Sequence, residues 1–79
     1  MFVHNGMTYQ YRVTVTMTVT NHERGTTTEE QEIHYTNILK RARDIKASKS
    51  VDLNVTRITI EFRSGKIDAP VAVEIFGRQ

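Results

Sequence analysis

The sequence predicts a small α+β domain over residues 1–79, in which one helix packs on one face of an antiparallel sheet in ββαββ order. Three observations support this prediction: a long alternating segment near the start, a block of strong helix formers in the middle, and two apolar segments after that block. The alternative order is βαββ, with a longer helix over residues 28–47.

An unbroken alternation over residues 9–20, YQYRVTVTMTVT, predicts the first long strand. β-Branched and aromatic residues at every second position are typical of a strand with one buried and one solvent-facing side. Its 12 residues would span roughly 40 Å, about twice the usual strand length, so the strand needs a long partner, a bend or a second chain. The turn-forming pair Asn5-Gly6 in front of it predicts a short hairpin arm that includes Phe2 and Val3.

The segment after Gly25 has two interpretations. We favour a second strand over residues 26–35, because its threonines, Ile33 and Tyr35 lose side-chain freedom in a helix. This strand would also be a long partner for the first one. The two glutamates at positions 29 and 30 are poor strand residues and keep the helical interpretation open.

A helix is expected where the composition changes to ILKRARDIKA, with Thr36 or Asn37 as the N-cap and an end near Ser48. Its apolar residues recur at the spacing of a stripe that faces a sheet. The members of this stripe are Ile38, Leu39, Ala42 and Ile45.

The apolar positions after the helix change parity at Thr56-Arg57. A flip by one residue sends later side chains to the other face unless the strand is bulged. We therefore expect either a β-bulge there or an extended loop followed by a strand from about Arg57 to Arg63. A turn over residues 64–70 then leads to a last strand over 71–76, whose two apolar faces favour a central position.

The predicted core combines the helical stripe with one face of each strand, and the threonine-rich far face of the sheet is expected to stay open. Its members are Tyr11, Val13, Val15, Met17, Val19, Ile33, Ile38, Leu39, Ala42, Ile45, Ile58, Ile60, Phe62, Val71, Val73 and Ile75.

Composition and motifs narrow the function classes. The chain has no cysteine, which suits the cytoplasm, and no apolar run of membrane-spanning length. No nucleophile motif or phosphate-binding glycine loop occurs. Glu30 and His34 would share a helix face, or Glu30, Glu32 and His34 a strand face, and either arrangement suits at most a weak metal site, because zinc needs three or four convergent ligands. The favoured interpretation is a solvated polar face. We therefore expect no enzymatic activity, no catalytic, cofactor-binding or metal-binding residues, and no cofactor.

A basic set on the helix is the first candidate binding site. A net charge of +2 is too small to imply nucleic-acid binding, but these side chains are close together and suit a phosphate backbone or an acidic protein. The alternative interpretation is an ordinary solvated helix face. The set consists of Lys40, Arg41, Arg43, Lys46 and Lys49, with Arg57 shortly after.

The polar side of the first long strand is the second candidate site. It is either a plain solvent face, or a sheet face or edge that contacts a partner strand, including a second copy of the chain. Its members are Arg12, Thr14, Thr16 and Thr18.

These observations favour a non-catalytic protein-interaction module that acts by occupying another macromolecule's surface. In small size, cysteine-free composition and lack of enzymatic motifs, the whole chain resembles small phage accessory proteins such as anti-CRISPR inhibitors, although no motif carries the resemblance. The resemblance implies inhibition of host defence by surface occlusion, with a protein or a protein–nucleic acid complex as the partner. The alternatives are a small nucleic-acid-binding domain that uses the basic helix, and a structural subunit of a larger assembly.

Overall fold

In a computed structural model, which describes residues 1–65 and 69–78, the chain forms six strands and one helix. Four strands form an antiparallel sheet in the order β4-β3-β5-β6, and β1 pairs with β2 separately. The predicted ββαββ order is confirmed, with an added hairpin in front. The elements are β1 (Phe2–His4), β2 (Met7–Tyr9), β3 (Tyr11–Asn21), β4 (Thr26–Thr36), α1 (Leu39–Ser50), β5 (Val55–Phe62) and β6 (Val71–Gly77).

The segment after Gly25 is a strand, so the helical alternative over residues 28–47 is wrong. All 11 residues of β4 pair with β3, from Tyr11 opposite Thr36 to Asn21 opposite Thr26. This register places the glutamates of β4 at exposed or half-buried positions, where a charge in a strand can remain solvated.

A bend at Gln10 divides the predicted strand over 9–20. The Gln10 amide donates to the side-chain oxygen of Asn37 at 3.0 Å, and its carbonyl accepts the amide of Arg63 at 3.0 Å. Tyr9 consequently belongs to β2, which joins β1 through the expected Asn5-Gly6 turn. Both turn residues have positive φ, 51° and 76°, as the two-residue hairpin turn requires.

The parity change in β5 is accommodated by a register shift at Thr56, as expected for a β-bulge. Thr16 pairs with Arg57, but the next residue of β3, Met17, pairs with Val55. The extra residue lets Val55 point to the same buried side as Ile58, despite the odd separation between them. The Thr56 carbonyl accepts the amide of Arg78 at 2.9 Å, so the bulge keeps its polar group bonded.

The predicted helix cap is wrong by one or two residues. The N-cap is Ile38, which has extended backbone angles and no capping side-chain bond. Asn37 binds Gln10 instead, and the Thr36 hydroxyl accepts the Ile38 amide at 3.1 Å. The hydrogen bond from Gln10 at the bend therefore occupies the side chain of Asn37, which the sequence suggested as a helix cap.

The core lies between α1 and the facing side of β3 and β5. Six of the predicted core positions are exposed, because the layer covered by α1 does not extend to them. Val19 lies on β3 past the end of β5, Ile33 faces away from α1, and Ile38 precedes the helix. The other three are on β6, which is an edge strand and not a central one. The buried apolar residues are Phe2, Val13, Val15, Ala42, Val55, Ile58 and Ile60, and Phe2 and Val55 were absent from the predicted set.

The N-terminal hairpin covers one end of the sheet face that is turned away from α1. Tyr35 is opposite Arg12 on this face, and the His4 ring stacks on the Tyr35 ring with centroids 4.6 Å apart. The Phe2 ring lies 4.5 Å from the Arg12 guanidinium and is 4% exposed. The far face is therefore open only beyond this hairpin, and the expectation of a fully open face is corrected.

The turn predicted over residues 64–70 lies partly outside the described residues. None of the described helical segments has the length and apolar character needed to cross a membrane.

Candidate interaction surfaces

Most of the predicted basic set is engaged in ion pairs within the chain. Arg43 and Lys46 both bind the carboxylate of Glu74 on β6, the lysine at 2.9 Å. Lys49 binds Glu32 on β4 at 3.0 Å, and Lys40 binds Asp44 one helical turn away at 3.2 Å. The helix thus uses its cations to hold the acidic side chains that β4 and β6 turn toward it.

These contacts favour the ionised carboxylates. The hydrogen bonds from Arg43 and then Lys46 lower the pKa of Glu74 below its ordinary value. The bond from Lys49, followed by that from His34, lowers the pKa of Glu32 in the same way. His34 Nε2 lies 2.5 Å from Glu32 Oε1.

The two remaining basic residues of the predicted set lie on different surfaces of the molecule. Arg41 and Arg57 are both exposed, and neither forms an ion pair with a described residue. Arg41 is on α1, whereas Arg57 is opposite Thr16 on the sheet face turned away from α1. A phosphate backbone that contacts one of them would therefore not meet the other on the same surface.

The threonine side of β3 forms the middle of a cross-strand row. Thr14 is opposite Ile33 on β4 and Thr59 on β5, and Thr59 is opposite Ile75 on β6. The two isoleucines at the ends of this row are 47% and 57% exposed. Thr16 and Thr18 continue the same face toward the β3–β4 turn.

The structure changes two features of this predicted face. Arg12 lies below the hairpin, with its guanidinium bound to Glu61 at 3.0 Å, and is not part of the open surface. β3 is paired on both sides over residues 11–17, so it is an interior strand rather than an edge.

The segment over residues 51–54, called here the 51–54 loop, exposes two aliphatic side chains. Val51 and Leu53 are each 79% exposed, the highest values among the large apolar residues of the described chain. The loop is nevertheless held by hydrogen bonds at both ends. The Asp52 amide donates to Lys49 O at 3.1 Å, and the Asp52 side chain accepts the Asn54 amide at 2.9 Å.

The 51–54 loop is also fastened to β3. The Thr18 amide donates to Asn54 O at 2.9 Å, where β5 no longer pairs with β3. An open groove of about 370 Å³ lies at this junction. Its lining includes Met17, Val19, His22, Asp52 and Asn54.

Beyond this junction, the ends of β3 and β4 continue as a two-stranded arm. Every residue over 19–31 is exposed. The arm carries three glutamates, Glu23, Glu29 and Glu30, against one arginine, Arg24. The groove therefore lies between this acidic arm and the 51–54 loop, which contributes the polar residues Asp52 and Asn54 to the lining.

The described residues contain no cluster of side chains that could hold a metal ion. Glu30, Glu32 and His34 share the α1 side of β4, as the strand interpretation places them. However, no group of three or more His, Cys, Asp or Glu side chains that could hold a metal ion occurs in residues 1–65 and 69–78. Glu32 is bound to Lys49, which satisfies its charge without a metal.

The sequence left the 51–54 loop as one of two alternatives, because Val51, Leu53 and Val55 alternate like a strand. The turn-forming residues Asp52 and Asn54 between them were the available indication of a loop. Comparisons with protein-family models, with curated proteins and with solved structures gave no match.

Proposed function

We propose that this chain is a non-catalytic protein-interaction module that binds another protein through the 51–54 loop and the adjoining groove. The observation that carries the proposal is the exposure of Val51 and Leu53 on a loop that hydrogen bonds hold in place. Isolated exposed aliphatic side chains are common, but these two lie two residues apart on one ordered loop beside a groove.

The free energy of burying Val51 and Leu53 is large enough for these side chains to anchor the loop in a pocket of a partner protein. Burying a Val or Leu side chain from water is worth roughly 1.5–3 kcal/mol. Because the bonds to Lys49, Asp52 and Thr18 already order the loop, little further entropy is lost on binding. The acidic arm beside the groove favours a partner with a basic rim.

The nucleic-acid alternative has less support from the same contacts. Four of the five helical cations of the predicted set bind carboxylates of the chain itself. A phosphate would have to compete with these internal partners, and Arg41 and Arg57 do not face it together.

The narrower proposal, inhibition of a host-defence complex by occlusion, rests only on the resemblance to phage accessory proteins. Its test is a defence-interference assay with a host that carries such a system. Restored phage infection in the presence of the wild-type chain, lost with Val51→Asp/Leu53→Asp, supports it. Infection unaffected by the wild-type chain contradicts it.

Affinity capture followed by quantitative mass spectrometry tests the interaction module. The wild-type chain and the Val51→Asp/Leu53→Asp variant are used as baits in lysate of the source organism. We expect at least one protein to be enriched by the wild type and lost with the variant. Both substitutions are at solvent-exposed positions, so they should leave the fold intact, which circular dichroism checks.

The matched control is Val3→Asp, because Val3 is 70% exposed on the N-terminal hairpin, near the other end of β3. This variant should retain the captured protein. Equal loss with Val3→Asp, equal retention with the loop variant, or no protein enriched by the wild type contradicts the proposal.

A further inference from the structure

The outer edge of β6 differs in chemistry from the other edge of the sheet. β4 and β6 are the two edge strands, and no described strand pairs with their outer sides. β4 carries Glu29, Glu30 and Glu32, so pairing with its own copy would bring like charges together. Charged side chains of this kind are a usual protection of strand edges.

β6 lacks this protection. Its exposed large side chains are Val71, Val73 and Ile75, and the one charged residue within 71–77 is Glu74. Glu74 faces α1, where Arg43 and Lys46 already bind it. The edge therefore presents aliphatic side chains and backbone groups without an unpaired charge, which is the composition of an edge that accepts another strand.

A register shift in β6 limits which part of the edge is regular. Glu61 pairs with Ala72 and Ile60 with Glu74, which leaves Val73 as the extra residue. From Glu74 to Gly77 the pairing with β5 is continuous. A further strand is therefore expected to pair with residues 73–77 rather than with the whole of β6.

We propose that β6 pairs antiparallel with β6 of a second copy, with Ile75 on the two-fold axis, to form a continuous eight-stranded sheet. In this register Ile75 lies opposite the partner's Ile75, on the face turned away from both helices. Residues two apart keep the same face, so the row that contains Ile33, Thr14, Thr59 and Ile75 continues into the second copy.

The charges on the helix side are compatible with this register. Glu74 comes opposite the partner's Phe76, and Arg43 and Lys46 of its own chain already bind it. The Arg78 guanidinium is likewise held within its own chain, where it donates to the carbonyls of Ser50 and Val55. Pairing with a second copy therefore brings no unpaired charge to this edge, whereas a strand with a charged residue opposite β6 would find no free counter-charge there.

The expected association is weak. A strand pair of about five residues buries less than the ~800 Å² per partner of a standard complex. We therefore expect a monomer–dimer equilibrium that depends on concentration, which sedimentation equilibrium over a concentration series measures.

The matched test compares Ile75→Lys with Ile33→Lys. Both isoleucines are exposed on the same sheet face at its two edge strands, so the substitutions change the surface alike. Ile75→Lys should weaken dimerisation at least about tenfold, while Ile33→Lys leaves it unchanged. A wild type that is monomeric up to its solubility limit overturns the proposal, and so does equal weakening by both variants, which indicates packing between faces.

A crosslinking test does not require a variant that prevents dimerisation. The chain has no cysteine, so Ile75→Cys introduces a single thiol. Directly opposite residues of an antiparallel pair have Cα atoms about 4.5–5.5 Å apart, which is within the range for a disulfide. Ile75→Cys should form a covalent dimer on oxidation and Ile33→Cys should not; the reverse result overturns the proposed register.

Discussion

Glu74 is the one charged residue of β6, and it is accommodated there because cations of α1 bind it. It interrupts the apolar segment VAVEIF and faces α1, where Arg43 and Lys46 bind its carboxylate. The apolar periodicity of the helix places Arg43 outside the stripe that faces the sheet, so the sequence does not identify this arginine as a partner of Glu74. Only the packing of α1 beside β6 makes the two helical cations its partners.

Glu74→Gln should reduce stability in a pH-dependent manner. Since the pKa of Glu74 is lowered in the folded chain, its charged form stabilises the fold above the unfolded-state pKa, and this is lost as pH falls through the folded-state pKa. The difference in unfolding free energy between wild type and variant should therefore shrink from about pH 7 to about pH 3. Urea denaturation at each pH measures it.

High salt is the control for this prediction, because it screens an ion pair near the surface. At neutral pH the difference between wild type and Glu74→Gln should decrease as salt is added. A difference that is constant across both pH and salt would show that the ion pairs do not stabilise the fold.

Ile60 and Ile75 are a matched pair for the energetics of the core. Ile60 is fully buried beneath α1, whereas Ile75 is 57% exposed on the neighbouring strand. Ile60→Ala should destabilise the chain by about 2–5 kcal/mol because it leaves a cavity. Ile75→Ala should cost less than about 1 kcal/mol. Denaturation at low protein concentration measures both, and similar values would contradict the described layering.

The N-terminal hairpin is the element whose role the sequence indicated least. Its two strands have three residues each, too few to be stable alone. They remain in place because Phe2 is buried over Arg12 and because His4 and Tyr9 surround Tyr35.

Phe2→Ala should release this hairpin while the four-stranded sheet persists. The lost contacts are those between the hairpin and the Tyr35–Arg12 end of the sheet, and α1 contacts the opposite face. Amide hydrogen exchange should show protection lost in β1 and β2, with β3 and β5 still protected. Equal loss of protection throughout would mean that the hairpin is part of the main cooperative unit.

The strands and the helix were predictable wherever the spacing of apolar residues in the sequence matches the face that is buried. The alternation of β3 and the composition change at Ile38 both reflect a single covered face, so the element types followed from them. The bulge in β5 was one of two predicted alternatives, because the parity of Val55 and Ile58 conflicts in a regular strand. The bend at Gln10 was not, since it depends on hydrogen bonds to Asn37 and Arg63, which are distant in sequence.

At the scale of the whole molecule, the basic side chains of α1 are largely neutralised by carboxylates of the same chain. The formal net charge is +2, and the helical cations are bound to carboxylates from β4, β6 and α1 itself. Four of the five helical cations of the predicted set are thus ion-paired within the chain, and the arm over residues 19–31 is acidic.

We therefore expect no salt-sensitive nucleic-acid binding. Mobility-shift titrations with single-stranded and double-stranded DNA and RNA at low salt should show no complex at micromolar protein. A complex that weakens steeply as salt increases would contradict this expectation and favour backbone contacts. In that case Arg41→Ala and Arg57→Ala would identify which face binds.

The sequence by itself predicted the antiparallel α+β class, the favoured ββαββ order and most of the helix-facing core, and it gave the bulge in β5 as one of two alternatives. Each depends on the period of apolar residues, a local property that one buried face imposes. Tertiary structure decided the strand order, which makes β6 an edge and β3 an interior strand. It also decided the cover over Tyr35, the partners of the helical cations and the exposure of Val51 and Leu53. These features depend on which distant surfaces meet, and hydrophobic periodicity does not encode that choice.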